Sequence, residues 1–339
     1  MSLKSVSCLL ALETSCDETA ASVCTLEGRL LSSRLFSQIE IHRQYGGVVP
    51  EVASRNHITK VRPLVEAVLA EAGMRLADMA AFAATCGPGL VSSLLIGTSV
   101  AKALAVAERK PFLAINHMEA HLLSPFIEQG HAEPGLGLIV SGGHTMLVRI
   151  CGVGDYEILG RTRDDAAGEA LDKTARMLGL PYPGGPEIEK TGRSGNRQAY
   201  DFPRSRLADS PFDFSFSGLK TSVLYELPKL DLTNPQVLAD VCASVLEAVV
   251  SILAEKTAHA ARHFGLKTIA VSGGVSCNKR LRAALAERCA KDGLRLLLAP
   301  PSLCTDNAGM VAFAAAQRFA AGHTSPLEQE VDPNWRIDA

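Results

Sequence analysis

Apolar residues fall into short runs closed by small polar turns, and these alternate with longer stretches in which they recur at helical spacing. The first run, Cys8-Leu9-Leu10-Ala11-Leu12-Glu13, reads as a buried strand. The polar turn Thr14-Ser15-Cys16-Asp17-Glu18-Thr19 follows, and residues 20–26 return as a second strand. Such a hairpin tip offers backbone N–H groups, hydroxyls and the carboxylates of Asp17 and Glu18. It is either an ordinary polar turn or a place to hold phosphate, directly or through a cation. A third apolar segment leads to the loop Tyr45-Gly46-Gly47-Val48-Val49-Pro50. Ile58, Val61, Val65, Val68 and Leu69 then predict a helix over 52–72, in which Pro63 implies a kink or two pieces. A strand over 79–85, the turn Gly87-Pro88-Gly89, an Ala/Leu helix to about 108 and a strand over 112–116 complete this half.

The second half echoes the first. Residues 137–141 read as a strand, Ser141-Gly142-Gly143-His144-Thr145 as a turn, and 146–150 as the returning strand. A plain hairpin turn accounts for the glycines but not for the repeat. The repeat predicts a duplicated α/β architecture with one phosphate-binding loop per half, and the Gly142-Gly143 pair lets backbone approach a ligand closely. A helix is expected over 164–179, with Arg176 spaced to pair with Asp172. Pro181-Tyr182-Pro183-Gly184-Gly185-Pro186 reads as a rigid loop, neither helix nor central strand. The polar stretch 192–214, with Arg193, Arg197, Arg204 and Arg206, is the segment expected to move most: a solvated loop or a nucleic-acid contact. A long core helix covers 237–264. After a strand over 267–271, Ser272-Gly273-Gly274-Val275-Ser276-Cys277-Asn278 opens a helix over 279–291. Strand, Gly-Gly turn and helix N-terminus together suit a nucleotide. A strand over 294–299 precedes an Ala-rich C-terminal helix capped by Thr305 or Asp306, and Asp306 is either that cap or a working carboxylate.

Composition narrows the class. A chain of 339 residues exceeds one ordinary core, so two domains are expected. Aromatic residues make up only 5%, which suits helices packed on sheets. The net charge of −2 offers nucleic acid no global attraction, so an RNA partner needs a local basic patch or a companion protein. Nine scattered cysteines without a Cys-x2-Cys pair read as reduced, cytoplasmic usage. No apolar run reads as reaching membrane length, so no membrane partner is expected.

The sharpest chemical signal is His117-Met118-Glu119-Ala120-His121 at the end of the strand 112–116. Histidines four apart share one helix face and suit a single metal ion, since neutral imidazole is the commonest metal ligand. They also sit where open α/β sheets bind ligands. A zinc-protease His-Glu-x-x-His box places its glutamate one residue after the first histidine. Glu119 comes two after, roughly 200° around the helix at about 100° per residue. It is off the histidine face, which argues against a peptidase.

The ordered set of motifs resembles the TsaD family, formerly called glycoproteases and related to archaeal and eukaryotic Kae proteins. The motifs are Glu13-Thr14-Ser15-Cys16-Asp17-Glu18-Thr19, the loop from Tyr45 to Glu51, the two-histidine box, Val140-Ser141-Gly142-Gly143-His144-Thr145 and Gly168-Glu169-Ala170-Leu171-Asp172-Lys173-Thr174. Tyr182-Pro183-Gly184-Gly185-Pro186, Phe214-Ser215-Phe216-Ser217-Gly218-Leu219-Lys220, Ser272-Gly273-Gly274-Val275-Ser276 and Thr305-Asp306-Asn307 complete it. The resemblance implies the duplicated actin, sugar-kinase and Hsp70-like (ASKHA) ATPase fold with nucleotide in a cleft. One half would be residues 1–116 joined by 308–339, the other 117–307. It implies transfer of a threonylcarbamoyl group from threonylcarbamoyl-AMP to N6 of adenosine 37 in tRNAs reading codons that start with A. It implies one divalent ion, iron or zinc, on His117, His121 and Asp306. Substrate nucleotide would lie on Val140, Ser141, Gly142, Gly143, His144, Asp172, Gly185 and Asn278, with Asp17 and Glu18 as the catalytic acidic pair. Expected partners are the tRNA anticodon loop, a TsaB-like paralogue and a TsaE-like ATPase, with a TsaC-like synthase supplying the adenylate. A metallopeptidase and a non-catalytic ATP-binding scaffold are the competing readings.

Overall fold

The computed structural model describes residues 7–45, 47–204, 207 and 209–338. In chain order, strands β1 (Cys8–Glu13), β2 (Glu18–Thr25) and β3 (Leu30–Ser37) precede helices α1 (Ile39–Arg43) and α2 (Pro50–Ala72). Then come β4 (Met79–Gly87), α3 (Val91–Glu108), β5 (Phe112–Asn116) and α4 (His117–Leu123). The meander β6 (Gly135–Val140), β7 (Thr145–Gly152) and β8 (Asp155–Arg161) leads to α5 (Ala167–Met177), α6 (Gly184–Thr191), α7 (Ser217–Glu226) and α8 (Pro235–His263). Strand β9 (Thr268–Ser272), α9 (Lys279–Asp292), β10 (Arg295–Leu298) and α10 (Ala308–Ala320) finish the chain.

Two compact units result. The first holds Met1–Glu133, Gly152–Tyr156 and Thr305–Ala339; the second holds Pro134–Cys151 and Glu157–Cys304. Each contains a five-stranded sheet, β3-β2-β1-β4-β5 in one and β8-β7-β6-β9-β10 in the other. Counted within its own unit, each sheet has the order third, second, first, fourth, fifth, so the repeat seen in the hairpins extends to whole sheets. In both, the first two strands pair antiparallel and the first and fourth pair parallel. The sequence reading opened the second half at residue 117. The compact units instead keep α4 with the first, because α4 packs against α10.

Burial explains the local patterns. Every residue of β1 and of β6 is buried, as expected of central strands covered on both faces. Helix α10 packs on β1 and β2, and α2 on β2 and β3. In the second unit α8 runs through the core, with Val241, Val245, Val249, Ile252 and Leu253 buried.

Several expectations need correction. Helix α2 is one 23-residue helix despite Pro63. Pro63 and Thr59, whose carbonyl loses its partner, both lie on the exposed face, where water can replace the bond. Gly184, Gly185 and Pro186 are not loop but the first turn of α6, where proline's missing N–H costs nothing. Neither Thr305 nor Asp306 caps α10; Asn307 does, its side chain accepting from the Met310 N–H. Strand β8 was unforeseen, and helix α10 stops at Ala320, well before the end of the chain. By length and composition α3 and α8 would pass as membrane-spanning, contrary to the sequence reading, though 72% of the apolar window of α8 is buried as core. Gly46 and Arg206 lie outside the described residues.

Candidate functional site

The first unit brings together three side chains that could hold a metal ion. Strand β5 ends at Asn116, whose side chain accepts from the backbone N–H groups of Met118 and Glu119 and so caps α4. The Asn116 amide also donates to the Trp335 carbonyl at 3.1 Å, which ties the start of α4 to the C-terminal segment. Capping fixes the first turn, and the four-residue spacing puts His117 and His121 side by side with ring centroids 4.7 Å apart. Asp306, two residues before α10, meets both: its Oδ1 lies 3.4 Å from His117 Nε2 and 3.0 Å from His121 Nε2. One ligand atom from each residue lies within 4.8 Å of the others. Tetrahedral ligands about 2.0–2.1 Å from a zinc-sized ion stand roughly 3.4 Å apart, so the cluster has the right size. Both histidines are buried, while the Asp306 side chain is 27% exposed and leaves the site open on its side.

Behind the cluster stands Glu13, which sequence reasoning quoted in a motif but gave no role. It is fully buried at the end of β1. Its Oε2 lies 3.1 Å from His117 Nδ1 and accepts from Thr85 Oγ1 at 2.6 Å, while Oε1 accepts from the Ser15 N–H at 2.5 Å. A carboxylate on the far nitrogen of a ligating histidine fixes its tautomer and raises its basicity. The only signal in the sequence was a charged residue closing an otherwise apolar strand. Burial opposes every charge here, but the pairs prevail. Asp306 and Glu13 hold His117 well above the usual imidazole range, and His117 in turn holds both carboxylates below theirs.

Asp17 and Glu18 belong to the same unit. Glu18 Oε1 accepts from Ser37 Oγ at 3.1 Å, and the Asp17 carbonyl accepts from the Gln38 N–H. Burial, with Asp306 and Asp17 nearby, pushes the Glu18 carboxyl up to about 9.

The second unit gathers the expected nucleotide residues at one end of its sheet. Strands β6 and β9 are parallel, so turn 141–144 and segment 273–278 leave the sheet at the same end. The turn is internally braced: the Ser141 N–H donates to the His144 carbonyl at 2.8 Å, and the His144 N–H to Ser141 Oγ at 3.1 Å. Around Gly142 and Gly143 an added Cβ would meet nothing within 4 Å, so their backbone faces open space. Gly273, at φ +89°, has no such room because the Val140 backbone presses on it. Asp172 does not use Arg176; its Oδ1 accepts from the N–H groups of Gly184 and Gly185 at 2.7 and 3.2 Å, and burial raises its carboxyl. Asn278 caps α9 through Oδ1, which accepts from the Leu281 N–H at 3.0 Å, so its amide NH2 is what remains for a ligand.

The chain is similar to known proteins along most of its length. Residues 29–313 match the family model described as TsaD, tRNA N6-adenosine threonylcarbamoyltransferase. Enzymes of that name are similar along nearly their whole length. The one from Anaeromyxobacter sp. (strain Fw109-5) is 49% identical over 97% of this chain and 99% of its own. The one from Methylocapsa acidiphila is 48% identical over 98% and 97%. Among solved structures, T. kodakarensis HypF matches with a TM-score of 0.64 at 16% identity, covering 94% of this chain and 48% of that one. Component A of the Acidaminococcus fermentans (R)-2-hydroxyglutaryl-CoA dehydratase matches with a TM-score of 0.53 at 16% identity, over 93% and 99%. These last two likenesses concern fold alone, the two-domain ASKHA architecture. With a match spanning most of its length and relatives near half identity, the chain belongs to the TsaD family of tRNA N6-adenosine threonylcarbamoyltransferases.

Proposed function

We propose that the protein transfers threonylcarbamoyl from threonylcarbamoyl-AMP to N6 of adenosine 37, forming t6A and releasing AMP. The observation that supports it best within the molecule is the convergence of His117, His121 and Asp306 backed by Glu13. The donor set fits a divalent ion such as iron or zinc: two imidazoles and one carboxylate, with a carboxylate partner on the far nitrogen of His117. When bound there, the ion supplies Lewis-acid stabilisation of negative charge.

The protein's own residues do the rest. Gly142 and Gly143, both exposed and without side chains, offer backbone for phosphate or carboxylate, beside His144. Asp172, with Oδ1 taken by α6, keeps Oδ2 for a ribose hydroxyl, and Asn278 donates from its amide. Gly185 lies where its small size keeps the start of α6 open, with only Leu171 near an added Cβ. In the transfer, the N6–C bond forms, the bond from the carbonyl carbon to the AMP phosphate oxygen breaks, and AMP leaves with the electron pair. The N6 proton goes to the acidic pair Asp17 and Glu18, and because burial pushes the Glu18 carboxyl up to about 9 the accepting carboxylate is Asp17. Because AMP is a good leaving group, orientation and charge stabilisation suffice without a covalent enzyme intermediate.

The anticodon loop presents adenosine unstacked and reachable. With a net charge of −2, RNA affinity comes from companions: a TsaB-like paralogue and a TsaE-like ATPase, with a TsaC-like synthase providing the adenylate. A tRNA substrate sets the work in the cytoplasm. A peptidase role has no support, since Glu119 is fully buried and engaged elsewhere. Nucleoside mass spectrometry of tRNA from depleted cells tests the proposal: t6A should disappear, and its retention refutes the activity.

A further inference from the structure

Glu119 lies in a helix that carries two metal-ligand candidates, yet it points away from them. All seven residues of α4 are buried, and Glu119 is 0% exposed. Burying a carboxylate is costly unless it is paired and hydrogen-bonded. Here it is fully engaged. Arg318 Nε donates to Oε1 at 2.9 Å and to Oε2 at 3.1 Å, and Tyr156 Oη donates to Oε1 at 2.8 Å. Arg318 stands in the last turn of α10, and Asp306 stands two residues before that helix begins. The two helices therefore meet at two separate points, one of them the ion pair and the other the metal cluster.

We infer that Glu119 is a positioning residue, an internal strut that with Arg318 and Tyr156 fixes the rotation of α4 and so holds His117 and His121 against Asp306. Apolar packing alone sets the rotation of a seven-residue helix weakly, because it is non-directional. An ion pair and a hydrogen bond are directional. Position i+2 lies roughly 200° around the helix from the first histidine. A strut on that side therefore resists the rotation that would swing both imidazoles off Asp306. Asn116 caps the start of the same helix, and Glu119 adds directional contacts on the side away from the histidines. The glutamate whose spacing counts against peptidase chemistry thus has a different task.

The inference rests on the metal reading, and the test separates the two. Zn2+ affinity is measured by competition with a chromophoric chelator, and the visible spectrum of the Co2+-loaded full chain reports ligand geometry. Glu119→Gln should weaken Zn2+ binding by about 10–100-fold, the range for residues that orient ligands, and alter the Co2+ spectrum. Tyr156→Phe should weaken it by a smaller factor. Arg318→Lys, which keeps the charge, should restore part of what Arg318→Met loses. If Glu119→Gln does not fold, Glu119→Leu combined with Arg318→Met removes both charges together, and it too should bind Zn2+ more weakly than the parent. Parent-like affinity and an unchanged Co2+ spectrum in a folded Glu119→Gln or double variant overturn the strut. A parent protein that binds neither ion overturns the metal reading itself, and the strut with it.

Discussion

Replacing Glu13 by Gln gives the most direct reading of how the candidate metal site is built. The carboxylate makes every contact as an acceptor: Oε2 toward His117 Nδ1 and Thr85 Oγ1, Oε1 toward the Ser15 N–H. A glutamine has one acceptor oxygen and one donor nitrogen, so one side must fail. If its oxygen faces His117, the NH2 confronts the Ser15 N–H in a fully buried place, at about 1–3 kcal/mol for the unmet donor. If its NH2 faces His117, Nδ1 becomes the acceptor and the proton moves to Nε2, the atom that faces Asp306. A protonated Nε2 cannot ligate. Both outcomes lower metal affinity, and the usual loss for such a supporting carboxylate is about 10–100-fold. That corresponds to roughly 1.4–2.7 kcal/mol. The assay is chelator competition with Zn2+ at a temperature well below melting, with circular dichroism to confirm the fold. A folded Glu13→Gln protein that binds Zn2+ within about threefold of the parent refutes the reasoning, since an orienting carboxylate is worth at least tenfold.

Four further outcomes follow from the geometry of the two units. His117 is raised above 6.5 while Glu13 and Asp306 are lowered, so metal-free protein should lose stability both as pH falls through the lowered carboxylates and as it rises through the folded value of His117. Loading must displace the His117 proton, so calorimetry in buffers of different ionisation enthalpy should show proton release near pH 7, and none would contradict the raised imidazole. Glu18→Gln mimics the protonated state that burial and Asp306 favour, and should keep transfer activity, whereas Asp17→Asn should cost about 10²–10⁴-fold as a lost general base. Equal losses in the two variants would count against that division. Gly168→Ala places a Cβ 2.7 Å from the Ser141 carbonyl oxygen and 2.8 Å from Gly142 Cα, both backbone. It should cost about 1–3 kcal/mol of stability by overpacking and weaken AMP binding while sparing Zn2+ affinity, which titrations of the two ligands on one preparation can check.

What could be read from the chain alone follows the range of each interaction. The hairpins were legible because apolar runs and polar turns are local, and the resemblance between them announced the duplication. Their common strand order was not, since parallel pairing of β1 with β4 and of β6 with β9 joins segments far apart in the chain. The histidine pair was visible because one helix turn sets it. Asp306, 185 residues from His121, reads locally as a cap or a working carboxylate, and only family resemblance proposed it as a metal ligand. The two-piece alternative at Pro63 and the loop expected at Pro186 fail for a common cause. Proline forbids a hydrogen bond, but whether that matters depends on exposure or on position in the helix, and both are tertiary facts.

Glu13 and Glu119 carry this furthest. Each is a charged residue in a wholly buried element, and from sequence each reads as an exception to an apolar pattern. An exception of that kind survives only where partners meet the charge, and here the partners are His117 and Arg318. One glutamate sets the protonation of a candidate ligand, and the other sets the angle of the helix that carries it. A charge that interrupts an apolar run beside a ligand motif is therefore worth reading as part of the site. The interruption costs stability that a purely apolar residue would not, and the fold recovers it only by fixing a particular geometry.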